Sequence, residues 1–427
     1  MDVDRLSATY RIETSMDPAA AAEVMAGEQS TATFVRLDAE SDDFLTAHAA
    51  RVEAVEPLEE VPGPALPGAG SYPGPDGRVT WRTARVTLSW PMENFGTCLP
   101  TTLATVAGNL FELKPFSGLR VESVRFPDAF ATAFPGPRFG IPGTRRLSGV
   151  EGRPLIGTII KPSVGLSPEA TAAQVDALCA GGIDFIKDDE LQVNGPHCPF
   201  EARVTAVMEV IERHADRLGR KPMFAFNLTG EPDEMRRRHD LALEAGATCI
   251  MASLNSIGLS GLLHLSRHSE LPIHAHRNGW GYLSRHPALG FDYAAWSAFW
   301  RLAGADHMHV NGLRNKFCEP DASVIASAQA LLTPMFPAPG PDNVVVPVFS
   351  SGQTPDQAWD TYAALGSADL IYAAGGGITA HPDGIRAGVE ALRAAWDAAL
   401  GGQDRESAAA ADGNLARALD FFGTAAR

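Results

Sequence analysis

The sequence predicts an α/β protein in two parts, a C-terminal (β/α)8 barrel preceded by a smaller ferredoxin-like α+β domain. Three observations carry this reading. Short apolar runs alternate with amphipathic stretches from residue 136 onward, nearly every run ends on a polar residue or a glycine, and the first third mixes strand-like and helix-like patterns. A chain of 427 residues also exceeds the roughly 250–300 at which a single core stops growing. We therefore expect an N-terminal domain over residues 1–135 and a barrel over 136–427.

In the first third, alternation in SATYRIET (7–14) predicts a strand, and Asp17 caps an alanine-rich helix in DPAAAAEVMAGE. TATFVRL (31–37) and RVTWRTARVTLSW (78–90) read as strands, CLPTTLATVAGNLFEL (98–113) as a helix and GLRVESVRF (118–126) as a closing strand. The order is roughly β-α-β-β-α-β. EEVPGPALPGAGSYPGPDG is too rich in Pro and Gly to be anything but an exposed loop, and FPGPRFGIPG (134–143) marks the linker.

Beyond it, LIGTIIK, GIDFIK, MFAFNL, TCIMASL, LPIHAH, HMHV, VVVPVFS and LIYAAG are eight runs separated by helical stretches such as PEATAAQVDALCAGG. A doubly wound open sheet is the competing architecture. The runs end at Lys161, Lys187 to Glu190, Asn227, Ser253, His276 with Arg277, His309, Ser350 with Ser351, and Gly375 to Gly377. In a barrel those ends converge on one mouth, where active sites lie.

Composition narrows the function. The chain is 45% hydrophobic and 20% charged, ordinary for a globular protein, and its net charge of -16 argues against DNA or RNA as the main partner. Cys98, Cys179, Cys198, Cys249 and Cys318 show no CxxC pair, which suits free thiols in a reducing compartment. The N-terminal stretch lacks a basic segment followed by an apolar run, and no stretch of about 18 apolar residues occurs. The expectation is a cytoplasmic protein with no membrane partner.

Alternation places Lys187 and Asp189 on one strand face, Asp188 on the other and Glu190 at the start of the loop. Such an oxygen-rich group suits Mg2+. An ammonium is no ligand, so Lys187 acts only after losing its proton, as a Schiff-base nucleophile or as a CO2 carbamate. The plain alternative is a helix N-cap with an ion pair. Gly375 to Gly377, with Ser350 and Gly352, can hold a phosphate at the last two strands, or form ordinary turns. Arg277 can take a second anionic group and His276 can carry protons, whereas the HAH and HMH spacings also permit a histidine metal site. His274 and His307 are assigned to structure.

GTIIKPSVGLS, GGIDFIKDDE, HAHR, ADHMHV and GGGITAHP, in this order, resemble the large subunit of ribulose bisphosphate carboxylase, and within it the RuBisCO-like proteins. The resemblance spans nearly the whole chain. It implies that Lys187 is carbamylated and joins Asp189 and Glu190 on Mg2+, that Lys161 and His276 move protons, and that Arg277, His309, Ser350, Gly352, Gly375 and Gly376 contact phosphate and hydroxyls. It also implies a homodimer or an assembly of dimers, in which Glu28, Thr33, Phe34 and Asn109 reach the neighbouring subunit's site. The chain departs from the carboxylase at Ser163, Phe34, Trp280 and the NGLRNKFCEP segment, where Lys316 falls at the count of the mobile-loop lysine. Carboxylation is therefore not expected.

What the resemblance leaves is Mg2+-dependent enediolate chemistry on a phosphorylated sugar or sugar acid. The HRNGWG and NGLRNKF segments resemble the branch that decarboxylates or transcarboxylates 3-oxo-isoapionate-4-phosphate. Alternatives are the isomerase or enolase of a methylthio-pentulose phosphate in methionine salvage, a Schiff-base aldolase, and a non-catalytic family member.

Overall fold

The computed structural model describes residues 4–33, 35–134 and 136–425. Its strands in chain order are β1 (Arg5–Thr14), β2 (Arg51–Val61), β3 (Trp81–Pro91), β4 (Phe116–Arg125), β5 (Leu155–Ile159), β6 (Phe185–Lys187), β7 (Met223–Asn227), β8 (Cys249–Ser253), β9 (Ile273–His276), β10 (Leu289–Phe291), β11 (His307–His309), β12 (Val346–Phe349) and β13 (Ile371–Ala373). Two compact units result. The first holds residues 1–135, 279–302 and 336–341, the second 136–278, 303–335 and 342–427.

In the first unit a five-stranded sheet runs β10-β4-β1-β3-β2. Long strands form because Leu6, Ala8, Tyr10 and Ile12 alternate inward on β1, as do Val86, Leu88 and Trp90 on β3. Asp17 caps the helix Pro18–Glu28 through the N–H groups of Ala19 and Ala20. The expectation of a strand at TATFVRL is corrected. The Glu40 carboxylate accepts the N–H groups of Ala32 and Leu37, and Ala32 takes a left-handed φ of 56°, so the segment closes into a loop. The second strand is instead RVEAVEPLEEV. The predicted second helix is shorter than expected, Leu99–Val106 followed by a 3-10 turn at Leu110–Glu112. β10 adds to β4 in parallel, held by Arg120, whose guanidinium bonds Asp292 at 2.5 Å and the carbonyls of Leu289 and Phe291 at 2.9 and 2.6 Å. The expected position of Phe34 lies outside the described residues.

The second unit is the expected barrel, closed in the order β11-β12-β13-β5-β6-β7-β8-β9 with neighbouring strands parallel. All eight apolar runs are its strands. They read as unbroken runs because parallel strands covered by helices are buried on both faces. Phe185, Met223, Met251, Val348 and Ile371 share one buried cluster in its interior. Gly157 packs tightly there: a Cβ would meet Ile371 Cγ2 at 3.1 Å. Buried carboxylates tie strand starts together. Asp184, just before β6, binds Arg153 and Arg220 and accepts the Ile156 N–H, and Asp306, just before β11, accepts from Phe139, Gly140 and Ile273. Among the described residues no helix is long and apolar enough to cross a membrane.

Candidate active site

Parallel register sets the site. Ile159 stands beside Lys187, Lys187 beside Ala225, and Ser253 beside His276, so side chains from successive strand ends share one level of the mouth. No helix begins at Glu190; the next starts at Phe200, which removes the N-cap reading of the acidic group. The turn is held from behind. Asp188, on the face opposite Lys187, is wholly buried and accepts from Arg203 Nη2 at 3.1 Å and from the Asn227 N–H at 2.9 Å. Asn227 Nδ2 then donates to the backbone carbonyls of Asp189 and Glu190, both at 3.2 Å, and holds the turn that carries these two carboxylates.

Lys187 is wholly buried, its Nζ 2.7 Å from the Asp188 carbonyl and 3.6 Å from Glu190 Oε2. Burial pushes its pKa down, opposed by the charges of Glu190, Asp189 and Asp188. That shift favours the neutral amine, the form able to react with CO2. Lys161 Nζ lies 2.5 Å from Asp189 Oδ2 and 2.9 Å from Ser163 Oγ. Gly375 brings the loop after β13 beside it, with Lys161 Cε 4.0 Å from the position a Cβ would take.

His276 Nδ1 accepts the Asn278 N–H at 3.2 Å, which leaves the proton on Nε2, 3.5 Å from Glu190 Oε2. Its ring meets that of His309 edge to face at 4.6 Å. His309 Nε2 contacts His274 Nε2 at 2.7 Å, and its Nδ1 contacts Ser350 Oγ at 3.1 Å. Burial lowers the pKa of His274, His276 and His309 well below the ordinary histidine value, so the rings are neutral at pH 7. His307 faces the barrel interior, bonded to Thr144 Oγ1 at 2.8 Å and lowered by burial to about 3.

The loops after β11 and β12 meet on the same side. Ser351 Oγ donates to Asn311, Gln353 donates to the Leu313 carbonyl, and the Lys316 N–H donates to the Ser351 carbonyl at 3.2 Å. A Cβ on Gly377 would fall 2.2 Å from the Gln353 carbonyl oxygen, so only glycine lets the loops after β12 and β13 touch. Lys316 itself is exposed, its Nζ 5.3 Å from the Phe317 ring centroid, and is not part of the contacting cluster. Glu28 and Asn109 are brought together in the first unit, Asn109 Nδ2 lying 3.4 Å from Glu28 Oε1, with Thr33 exposed there. They are not among the residues gathered by the barrel. Asn227 and Glu319 were missed as site residues; for Asn227 the signal was its place at a strand end. Glu319 Oε2 lies 2.9 Å from Arg277 Nη2.

The donor set fits a hard divalent cation, since Asp189 and Glu190 present oxygens beside a buried amine whose pKa burial lowers. A second group, His239, Asp240 and His268, lies outside the mouth. There His239 Nε2 accepts the Glu270 N–H, which puts the ring proton on Nδ1, facing Asp240. A protonated nitrogen cannot ligate, so hydrogen bonding accounts for this group.

Fold and cluster define a (β/α)8-barrel enzyme with acid–base groups at the carboxyl ends of its strands. The family model of the ribulose bisphosphate carboxylase large chain, catalytic domain, matches residues 140–422, and that of its N-terminal domain residues 2–130. A 3-oxo-isoapionate-4-phosphate transcarboxylase/hydrolase of Xanthobacter autotrophicus is 57% identical over 98% of this chain and 99% of that protein. A 3-oxo-isoapionate-4-phosphate decarboxylase of Rhizobium rhizogenes is 43% identical over 92% of this chain and 93% of that protein. The crystal structure of a rubisco-like protein from Burkholderia fungorum superposes with a TM-score of 0.91 at 46% identity, covering 98% of this chain and 100% of that one. The chain belongs to the ribulose bisphosphate carboxylase large-chain family and is a RuBisCO-like protein.

Proposed function

We propose that this chain is a Mg2+-dependent lyase that cleaves the carboxylate from a phosphorylated 3-oxo sugar acid of the 3-oxo-isoapionate-4-phosphate type. The observation that carries the reading is the convergence of Lys161–Asp189 and Lys187–Glu190–His276 at the ends of β5, β6 and β9. The relatives' names supply the substrate class. In this proposal residues 136–427 form the catalytic domain. Residues 1–135 form the domain through which Glu28, Thr33 and Asn109 reach the site of a second subunit in a homodimer.

Asp189, Glu190 and a carbamate on Lys187 would hold the ion. When bound, Mg2+ supplies a positive charge that stabilises oxyanion charge developing on the substrate. As the bond between the substrate's carboxylate and its adjacent carbon breaks, CO2 leaves and the electron pair passes to the oxo group, giving an enediolate. Lys161, held beside Asp189 and Ser163, carries the proton returned to carbon. His276 is poised as the neutral partner that exchanges a proton with a substrate oxygen through Nε2. Ser350, Gly352, Gly375 and Gly376 hold the phosphate, His309 and Arg277 contact the rest of the substrate, and Lys316 is a further catalytic candidate on the loop after β11.

The 57% identity to a transcarboxylase/hydrolase favours a second reading, in which the carboxyl group is passed on instead of released. Substrate labelled with 13C at the carboxylate separates the two. Labelled CO2 from the wild type, lost in Lys161→Met, supports decarboxylation. Label kept in a non-volatile product supports transfer. No consumption of the oxo acid with Mg2+ and bicarbonate present refutes both.

A further inference from the structure

Three basic side chains at the mouth have a carboxylate partner: Lys161 has Asp189, Lys187 has Glu190 and Arg277 has Glu319. The first two partners are the carboxylates that would hold the ion. Glu319 differs. Its Oε2 accepts from Arg277 Nη2 at 2.9 Å and from Asn311 Nδ2 at 2.7 Å, while its Oε1 accepts from Ser323 Oγ at 2.8 Å. Both members of the pair are largely covered, the side chains being 8% and 14% exposed for Arg277 and Glu319. Asn311 is fixed in turn by Ser351 Oγ, which donates to its Oδ1 at 2.7 Å. An ion held by Asp189 and Glu190 would therefore leave the Arg277–Glu319 pair in place.

We propose that Glu319 determines substrate specificity by converting the Arg277 end of the mouth from an anion site into a site for an uncharged, hydroxyl-bearing end. A guanidinium with a fixed carboxylate beside it can donate to and accept from hydroxyls, but a phosphate dianion placed there meets the Glu319 charge at close range in a poorly solvated pocket. The substrate then carries one phosphate, held at the loops after β12 and β13, and presents a hydroxymethyl group to Arg277 and Glu319. This inference rests on the phosphate site assigned above and deepens it.

Ribulose 5-phosphate and ribulose 1,5-bisphosphate differ only in the second phosphate and serve as probes. Their binding to the intact protein in Mg2+ and bicarbonate can be measured by calorimetry. The wild type is expected to bind the bisphosphate no tighter than the monophosphate. Glu319→Gln is expected to bind the bisphosphate about tenfold tighter than the wild type does, with little change for the monophosphate. A wild type that prefers the bisphosphate by about tenfold overturns the proposal while leaving the proposed function standing. So does a folded Glu319→Gln protein with an unchanged ratio. If the variant does not fold, the wild-type ratio decides alone. Binding of neither probe removes the phosphate site and both readings with it.

Discussion

Replacing Arg203 with Met tests how the acidic turn is held. Arg203 and Asp188 are both wholly buried, their charges 3.1 Å apart, and Arg203 also donates to the carbonyls of Val193 at 2.7 Å and Cys198 at 3.2 Å. Removing the guanidinium leaves the Asp188 charge in a medium that solvates it poorly, which costs roughly 3–5 kcal/mol. The penalty belongs to the stranded charge more than to the lost attraction. Asp188→Asn in the same chain removes that charge and keeps an oxygen for the Asn227 N–H, so the double variant should recover about 2 kcal/mol or more. Urea denaturation of the barrel transition in the wild type, both single variants and the double variant provides the cycle. A cost below about 1 kcal/mol for Arg203→Met, or a double variant no more stable than Arg203→Met, would refute the reasoning.

Other consequences follow from the same geometry. Asn227→Ala removes the donors to the Asp189 and Glu190 carbonyls, so Mg2+ affinity and activity should each drop about 10–100-fold while the barrel still melts cooperatively; a Mg2+ titration reads this. The buried histidines make the protein acid-labile. His307, lowered from 6.5 to about 3, contributes stability that is fully present above 6.5 and is lost as pH falls toward 3. His274, His276 and His309 share that sign, each giving up about 1.4 kcal/mol per pH unit once the unfolded chain protonates. Asp306, raised by burial from 3.8 to about 6, works in the opposite direction and is outnumbered. The melting temperature should therefore fall between pH 7 and pH 5, and a flat profile would contradict the assignment of neutral rings.

The barrel was legible because covered parallel strands leave apolar runs that end at polar residues, a pattern visible without any contact being known. LIGTIIK and GIDFIK became β5 and β6, and the Lys-Asp-Asp-Glu group sits where the second run ends. Loops were less legible, since long-range polar partners shape them. TATFVRL looks like a strand until Glu40 draws it into a turn, and a three-residue strand such as β10 carries no periodicity; only Arg120 and its partners reveal it. Glu319 went unnoticed for the same reason. Its meaning depends on Arg277, 42 positions away, and on the fold of the loop between them.

The proposed chemistry depends most on one buried amine, that of Lys187. 13C NMR of the intact protein equilibrated with 13C-bicarbonate and Mg2+ tests it directly. One carbamate carbonyl resonance per chain is predicted, strengthened by Mg2+ and absent from Lys187→Met. A spectrum without that resonance at saturating Mg2+ and CO2, or one that persists in Lys187→Met, would contradict the claim.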